Sequence, residues 1–508
     1  MARSLVIVGF MGSGKTKLGR RLAEARGVPH VDTDDLLVER FGRPIADVFA
    51  TDGEAAFRAA ERDVVLSVLA REDEHVISLG GGAPTDPDVA AALRDQAVLF
   101  LDISLAGAWE RAEGSDRPLA QDRAAFEQLY AERRPLYESV AGAVIVPDGK
   151  MTLVRAADAL AAFADGPVGV RMTWGSSASG EYPVFVGPGA LTITPPGVGG
   201  RAIVVTDETV AALHFGSVPG AAGVIEIPPG EAHKTLATTE RVWQALVAQG
   251  VTRSDHVVAL GGGVVGDLAG FAAACFQRGI AVVQAPTTVV SQVDSAYGGK
   301  TGVDLEQAKN YVGAYHQPAA VLADTSTLAT LPPEEHAAGY AEVLKTALIA
   351  GDELWQRVRS GAPVDEAVIF GCVRTKLGVV SEDERDGGRR QVLNLGHTVG
   401  HALETELGYG TLRHGEAVGL GMLAALRLSD QADLREEVAG LLGEHGLPVT
   451  LAGHEVDVDA VLRAVTRDKK RVGEAPTPFV LVRAPGDVAY GCDVSSDAIE
   501  ASVRELLA

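Results

Sequence analysis

Three histidines, His397, His401 and His414, fall within eighteen residues of a chain that has 12 among 508. Imidazoles gathered at such spacing are candidate ligands for a divalent transition metal. His397 and His401 are four apart, which puts both on one face of a helix. Zinc proteases share the H-x-x-x-H pattern but need H-E-x-x-H, with Glu as base. Here the middle is Thr-Val-Gly, which disfavours peptide hydrolysis. A lone histidine is more often structural than a ligand. Three beside apolar helical sequence favour a metal, and spacing leaves open which of them bind it.

Two glycine loops offer phosphate chemistry. Gly9 to Thr16 reads G-x-x-x-x-G-K-T, after the apolar run "SLVIV" and before a helical stretch. Backbone N–H groups of Gly12, Ser13 and Gly14 would cradle phosphates, Lys15 would reach the β- and γ-phosphates, and the Thr16 hydroxyl would ligate Mg²⁺. Gly261-x-Gly263-x-x-Gly266 follows the strand "HVVAL" and opens a helix, the context of a dinucleotide loop. The acidic residue such loops carry about 20 residues further on is missing. Gln284 stands there, and Asp207 or Glu231 on earlier loops are the alternative ribose ligands.

The elements that must position these groups are of two kinds. Strands alternate with helices up to about residue 325, which implies parallel sheet, and from Leu328 onward the periodicity is helical. A Gly166-Pro167 stop separates the two glycine-loop units. Expected boundaries are 1–168, 169–326 and 327–508. The formal charge of −23 argues against nucleic-acid binding, and anionic substrates would need locally basic pockets. Three scattered cysteines, no signal-peptide pattern and no membrane-length apolar run lead to the expectation of a cytoplasmic protein without a membrane partner.

"HVDTDDL", "DGEAAFRAAER", "VISLGGGAP", "SDRPLA" and "ERRPLYE" follow the first loop in that order. Together they resemble shikimate kinase along nearly all of residues 1–165. The resemblance implies a three-layer P-loop fold and ATP-dependent phosphorylation of shikimate. Asp34 would bind the acceptor hydroxyl and take its proton. Arg58 and Arg133 would grip the shikimate carboxylate, with the backbone of Gly80, Gly81 and Gly82. Asp32 would help hold Mg²⁺ through water, and Arg117 would reach the ATP phosphates. Arg134 reads as a solvated charge. "RPLA" departs from the family's usual "RPLL".

"GGGVVGDLAGFAAACFQRG", "QAPTTVVSQVDSAYGGKTGVD", "GYAEVLKTALI" and "NLGHTVGHALE…HGEAV" resemble 3-dehydroquinate synthase, over roughly residues 172–485. The resemblance implies a Rossmann-like α/β NAD-binding part followed by an all-helical metal-binding part. The reaction implied is an NAD- and metal-dependent cyclisation of 3-deoxy-arabino-heptulosonate 7-phosphate to 3-dehydroquinate, with release of phosphate. Glu342, His397 and His414 would bind zinc or cobalt, and His401 would be a proton and hydrogen-bond group. Asp207, Glu231, Lys234, Gly262, Gly263, Asp267, Thr287, Thr288, Asp294, Lys300 and Lys309 would contact NAD. Arg278, Asn310, Lys376, Arg390, Asn394 and one or both of Lys469 and Lys470 would contact substrate. Lys300, Lys345, Arg390 and Asn394 would join His401 in the chemistry. These cations are numerous enough for a substrate with two anionic ends. A cyclase acting on another sugar phosphate is the alternative. Glu334 stands where the family often has Arg, and Asp386 where Glu is commoner. A homodimer through the second half is expected.

Overall fold

The structure is a computed structural model that describes residues 3–113, 122–147, 153–306, 308–408, 410–466 and 477–507. It divides into two compact units: Met1–Trp174 with Pro183–Val198, and Gly175–Tyr182 with Gly199–Ala508.

In the first unit the strands are β1 (Leu5–Val8), β2 (His30–Asp32), β3 (Val76–Ser78), β4 (Ala97–Leu101) and β5 (Ala143–Ile145). They pair in parallel in the order β2-β3-β1-β4-β5. β1 is buried throughout, as its unbroken apolar sequence requires of a central parallel strand. Four helices matter to the site: α1 (Lys15–Arg26), α2 (Thr33–Phe41), α3 (Ile45–Leu69) and α4 (Arg123–Val140). The Gly9–Gly14 loop, the Asp32–Asp34 turn and Gly80–Gly82 therefore all follow the carboxyl ends of neighbouring strands, where ligands of open α/β sheets bind.

In the second unit a parallel sheet is built from β6 (Ala202–Asp207), β7 (Ala221–Ile227), β8 (His256–Gly261), β9 (Ala281–Pro286) and β12 (Ala320–Ala323). Its order is β12-β9-β8-β6-β7. Helix α5 (Gly263–Cys275) starts directly after β8 and covers the core formed by Ile203, Val205, Val257 and Ala259. An antiparallel pair, β10 (Lys300–Leu305) and β11 (Ala308–Tyr315), stands apart from that sheet.

The remainder holds α6 (Pro333–Ala350), α7 (Glu366–Glu382), α8 (His397–Leu407), α9 (His414–Leu428) and α10 (Val458–Thr466). This part is helical but not wholly so. β13 (Phe479–Ala484) and β14 (Asp487–Cys492) form an antiparallel hairpin that corrects the all-helical expectation. The β-branched run "FVLV" and the Pro485-Gly486 turn are its sequence signals. Among the described residues no helix is long and apolar enough to cross a membrane.

Two glycines let α9 touch the elements around it. A Cβ on Gly415 would lie 1.8 Å from the Ala338 carbonyl oxygen of α6, and one on Gly421 would lie 1.9 Å from that of Gly396, at the start of α8. Glu342, His397 and His414 sit on these three helices. Gly415→Ala must therefore push α9 off α6, at a cost of about 1–3 kcal/mol for overpacking. The variant is expected to melt at lower temperature than the native chain. Native melting would contradict this account of the helix spacing.

Candidate active site

Each unit gathers a set of reactive side chains. In the first, Gly14 adopts φ +91 as the cap of α1, and Lys15 is the first helical residue. Its Nζ donates to the carbonyls of Gly9 (2.7 Å) and Phe10 (3.3 Å), so the ammonium rests on its own loop. Thr16 Oγ1 donates to Asp32 Oδ2 at 2.7 Å, which places the two expected Mg²⁺ partners side by side. Asp32 also caps α2, its Oδ1 accepting from the Asp34 N–H at 3.0 Å.

The glycine strip explains itself by what surrounds it. A Cβ on Gly80 would lie 2.7 Å from Asp34 Oδ1, and one on Gly82 would overlap the Arg58 guanidinium. A Cβ on Gly81 would stand 3.8 Å from Arg133 Nη1. Asp34, Arg58, Arg133 and Gly80–Gly82 thus converge. Glu61 joins them unforeseen: it is buried, and Arg58 Nη1 donates to its Oε2 at 2.6 Å. Burial raises the Glu61 carboxyl pKa, against the pull of Arg58. Its signal lay three residues after Arg58 on α3, but many exposed helix pairs share that spacing. Arg134 is not the solvated charge expected. It pairs with Asp102 through Nε (3.1 Å) and Nη2 (2.7 Å), because the residue after Arg133 on α4 turns toward the end of β4. Arg117 lies outside the described residues.

In the second unit a cavity of about 1110 Å³ is lined on one side by Asp207, Glu231, Lys234, Gly262, Gly263, Asp267 and Thr288. Lys234 Nζ lies 2.7 Å from Asp267 Oδ2 and donates to Asn310 Oδ1 at 2.7 Å. Gln284 does not replace the missing acid, because its amide is spent on the Gly266 carbonyl of α5 (3.1 Å). Thr287 is buried and does not line the cavity; its N–H donates to the Gly261 carbonyl at 3.0 Å.

Deeper groups alternate in charge. Asp294 accepts from Lys376 Nζ at 2.5 Å and stands 3.8 Å from Lys345 Nζ. Burial would raise the Asp294 pKa, but the two ammonium groups hold it down to about 2. Burial lowers Lys376 to about 8; Arg390 and Lys345 add to this, and Asp294 opposes it. Arg390 is buried and donates to the carbonyls of Gly298 (3.1 Å) and Glu384. Lys300 Nζ donates to Asp386 Oδ2 at 2.5 Å, so the shorter acid still reaches a cation. Likewise Glu335, next to the departing Glu334, pairs with Arg413 at 3.2 Å. Lys309 Nζ lies 3.6 Å from Glu404 Oε1. Asn394 ends the 3-10 turn Arg389–Asn394 just before α8.

Arg278 is exposed on the turn that follows α5 and, like Lys300, Lys345, Lys376 and Arg390, is not among the residues that line this cavity. One expectation needs correction. The cations are not in surplus, since Lys300, Lys345 and Lys376 each have a carboxylate. Charge counting alone therefore does not choose the substrate. Lys469 and Lys470 lie outside the described residues.

The histidines resolve into two sets among the described residues: Glu342 with His397 and His414, and His401 with Glu404 and His414. Glu342 is 1% exposed, and its Oε1 makes no hydrogen bond although it lies 3.5 Å from Nε2 of both His397 and His414. An orphaned buried carboxylate oxygen facing two imidazole nitrogens fits a divalent ion. His397 Nδ1 stands 3.1 Å from the Leu395 carbonyl, which favours the proton there and puts the lone pair on Nε2, the nitrogen that faces Glu342. Burial lowers the His414 pKa, but Glu342 and Glu404 together raise it to about 10.

Comparison with known proteins decides the lineage. Residues 224–338 match the sequence model of the 3-dehydroquinate synthase N-terminal domain, and 339–471 that of its C-terminal domain. A 3-dehydroquinate synthase of Methylococcus capsulatus is 43% identical over 347 residues, which cover 64% of this chain and 96% of that protein. The chain belongs to the 3-dehydroquinate synthase family. Residues 11–161 match the shikimate kinase model. The two matches make the chain a bifunctional enzyme of the shikimate pathway, a kinase fused to a lyase. Among solved structures, 2-deoxy-scyllo-inosose synthase with carbaglucose-6-phosphate, NAD⁺ and Co²⁺ is similar at 27% identity and a TM-score of 0.59, covering 66% of this chain and 100% of that one. The 2-epi-5-epi-valiolone synthase of Streptomyces hygroscopicus with NAD⁺ and Zn²⁺ follows at 28% and 0.58, covering 64% and 96%.

Proposed function

We propose that the first unit phosphorylates shikimate with MgATP and that the second converts 3-deoxy-arabino-heptulosonate 7-phosphate to 3-dehydroquinate, using NAD and a zinc or cobalt ion. The observation that carries the second assignment is the orphaned Glu342 oxygen between His397 and His414. The related cyclases named above share the fold, and their 27–28% identity is well below the 43% of the 3-dehydroquinate synthase relative. That difference, not the count of cations, favours the seven-carbon acid phosphate.

Roles follow from position. In the kinase, the loop N–H groups and Lys15 hold the phosphates, Thr16 and Asp32 share Mg²⁺, and Arg58 and Arg133 orient the acceptor carboxylate. Asp34 then takes the hydroxyl proton beside the Gly80–Gly82 backbone. In the synthase, Gly262 and Gly263 open a helix N-terminus to the pyrophosphate, while Asp207 and Glu231 offer acceptors to ribose hydroxyls. Lys300, Lys345, Lys376 and Arg390 exchange their present partners for substrate oxygens, and His401 moves protons at the cavity wall. When bound, NAD supplies a reversible store for hydride and the metal ion supplies Lewis acidity.

The two activities are expected to separate. Lys15→Ala is expected to lower shikimate-dependent ADP formation by about 10²–10³-fold, the loss typical of one charge-stabilising donor. Phosphate release from the heptulosonate phosphate is expected to stay near native. Equal loss of both in a folded variant, or comparable turnover of glucose 6-phosphate, would overturn the assignment.

We further propose that the chain is a homodimer through its synthase unit, on the resemblance stated above. Light scattering of the whole chain should then give twice its 52.8 kDa. A monomer at micromolar concentration would contradict it.

A further inference from the structure

The ring of His414 has a carboxylate at each nitrogen. Nε2 lies 3.5 Å from Glu342 Oε1, and Nδ1 lies 3.6 Å from Glu404 Oε2. Glu404 is 4% exposed, one turn along α8 from His401. Its other oxygen, Oε1, is 3.6 Å from Lys309 Nζ on β11. Glu404 was not among the residues that the sequence singled out.

A neutral imidazole that ligates through one nitrogen carries its proton on the other, and the acceptor of that proton fixes both tautomer and ring direction. For His397 the Leu395 carbonyl stands at that place. For His414 the group at that place is Glu404. We propose that Glu404 is a positioning residue of the metal site, accepting the Nδ1–H of His414 and so presenting Nε2 toward Glu342. This rests on the reading that Glu342, His397 and His414 hold the ion.

The competing use of Glu404 is as a ligand of a second ion with His401 and His414. Each acid has a lysine at one oxygen, Lys309 for Glu404 and Lys345 for Glu342, so the lysines do not choose between the two uses. The choice rests on Oε1 of Glu342, which is buried without a hydrogen-bond partner and faces two imidazole nitrogens, whereas no Glu404 oxygen is left so. Through Lys309, Glu404 also ties the metal ligand His414 to β11, whose Asn310 accepts from Lys234 on the nucleotide side of the cavity.

The test is zinc binding to the metal-free full chain, titrated against a chromophoric chelator. Native protein should bind one zinc per chain at this site. Glu404→Ala should bind the same single zinc 10–100-fold more weakly, the usual loss for an outer-shell partner. Glu404→Gln keeps the shape and an acceptor but loses the charge. It should fall between the two, and its cobalt-loaded form should show a shifted visible spectrum. Native affinity in Glu404→Ala, or an unchanged cobalt spectrum in Glu404→Gln, would overturn the proposal. So would a native stoichiometry of two that drops to one in both variants. His414→Ala separates this inference from the reading beneath it: zinc held at native affinity there would mean that the three-ligand set itself is wrong.

Discussion

A carboxylate that water cannot reach sets the terms for the synthase unit. An isolated buried charge of this kind costs several kcal/mol, and removing one partner of a compensated set is more damaging than never having built it. Glu342 is compensated on one side, by Lys345 Nζ at 2.5 Å from Oε2, and on the other its Oε1 faces the imidazoles of His397 and His414 across the place an ion would take. Lys345 is shared in turn with Asp294, and Asp294 with Lys376. The result is an alternating line of charge that runs from the metal ligands to the substrate cations. It lets a chain with a net charge of −23 keep buried lysines in place for an anionic substrate. Burial lowers the pKa of Lys376, the last in the line, to about 8, with Arg390 and Lys345 adding to this and Asp294 opposing it.

The kinase unit solves a smaller version of the same problem. Arg58 is held by buried Glu61 and exposed Glu54, so its guanidinium is oriented before any carboxylate arrives. Asp34 stands beside Glu61, each with an oxygen 2.7 Å from where a Cβ on Gly80 would lie. Close backbone approach is the means in both units. Gly80 and Gly82 leave room for Asp34 and Arg58, as Gly415 and Gly421 let the ligand helices touch.

What could be read from the sequence follows how local each signal was. The phosphate loop was legible because strand, loop and helix are contiguous and every role belongs to one short segment. His397 and His414 were legible as a concentration of imidazoles, but Glu342 lies 55 residues before His397 and came only through family resemblance. Glu61 and Glu404 were missed because a buried acid looks like any helix acid until its tertiary partner is known. α6 and α9 are buried almost all round between Ala338 and Leu348 and between Ala417 and Leu426, which leaves little amphipathic period to read. Arg134 was misjudged for a related reason: a family spacing gives a residue's place on its element, and packing gives what that element faces.

The central claim is that two imidazoles and one carboxylate, and not the third histidine, surround the ion. X-ray absorption at the zinc edge of the full chain loaded with one equivalent reads this directly. The account predicts two imidazole scatterers with zinc–nitrogen distances of about 2.0–2.1 Å, further oxygen and no sulfur, and the same spectrum in His401→Ala. Three imidazoles in the native chain, with one lost in His401→Ala, would contradict it.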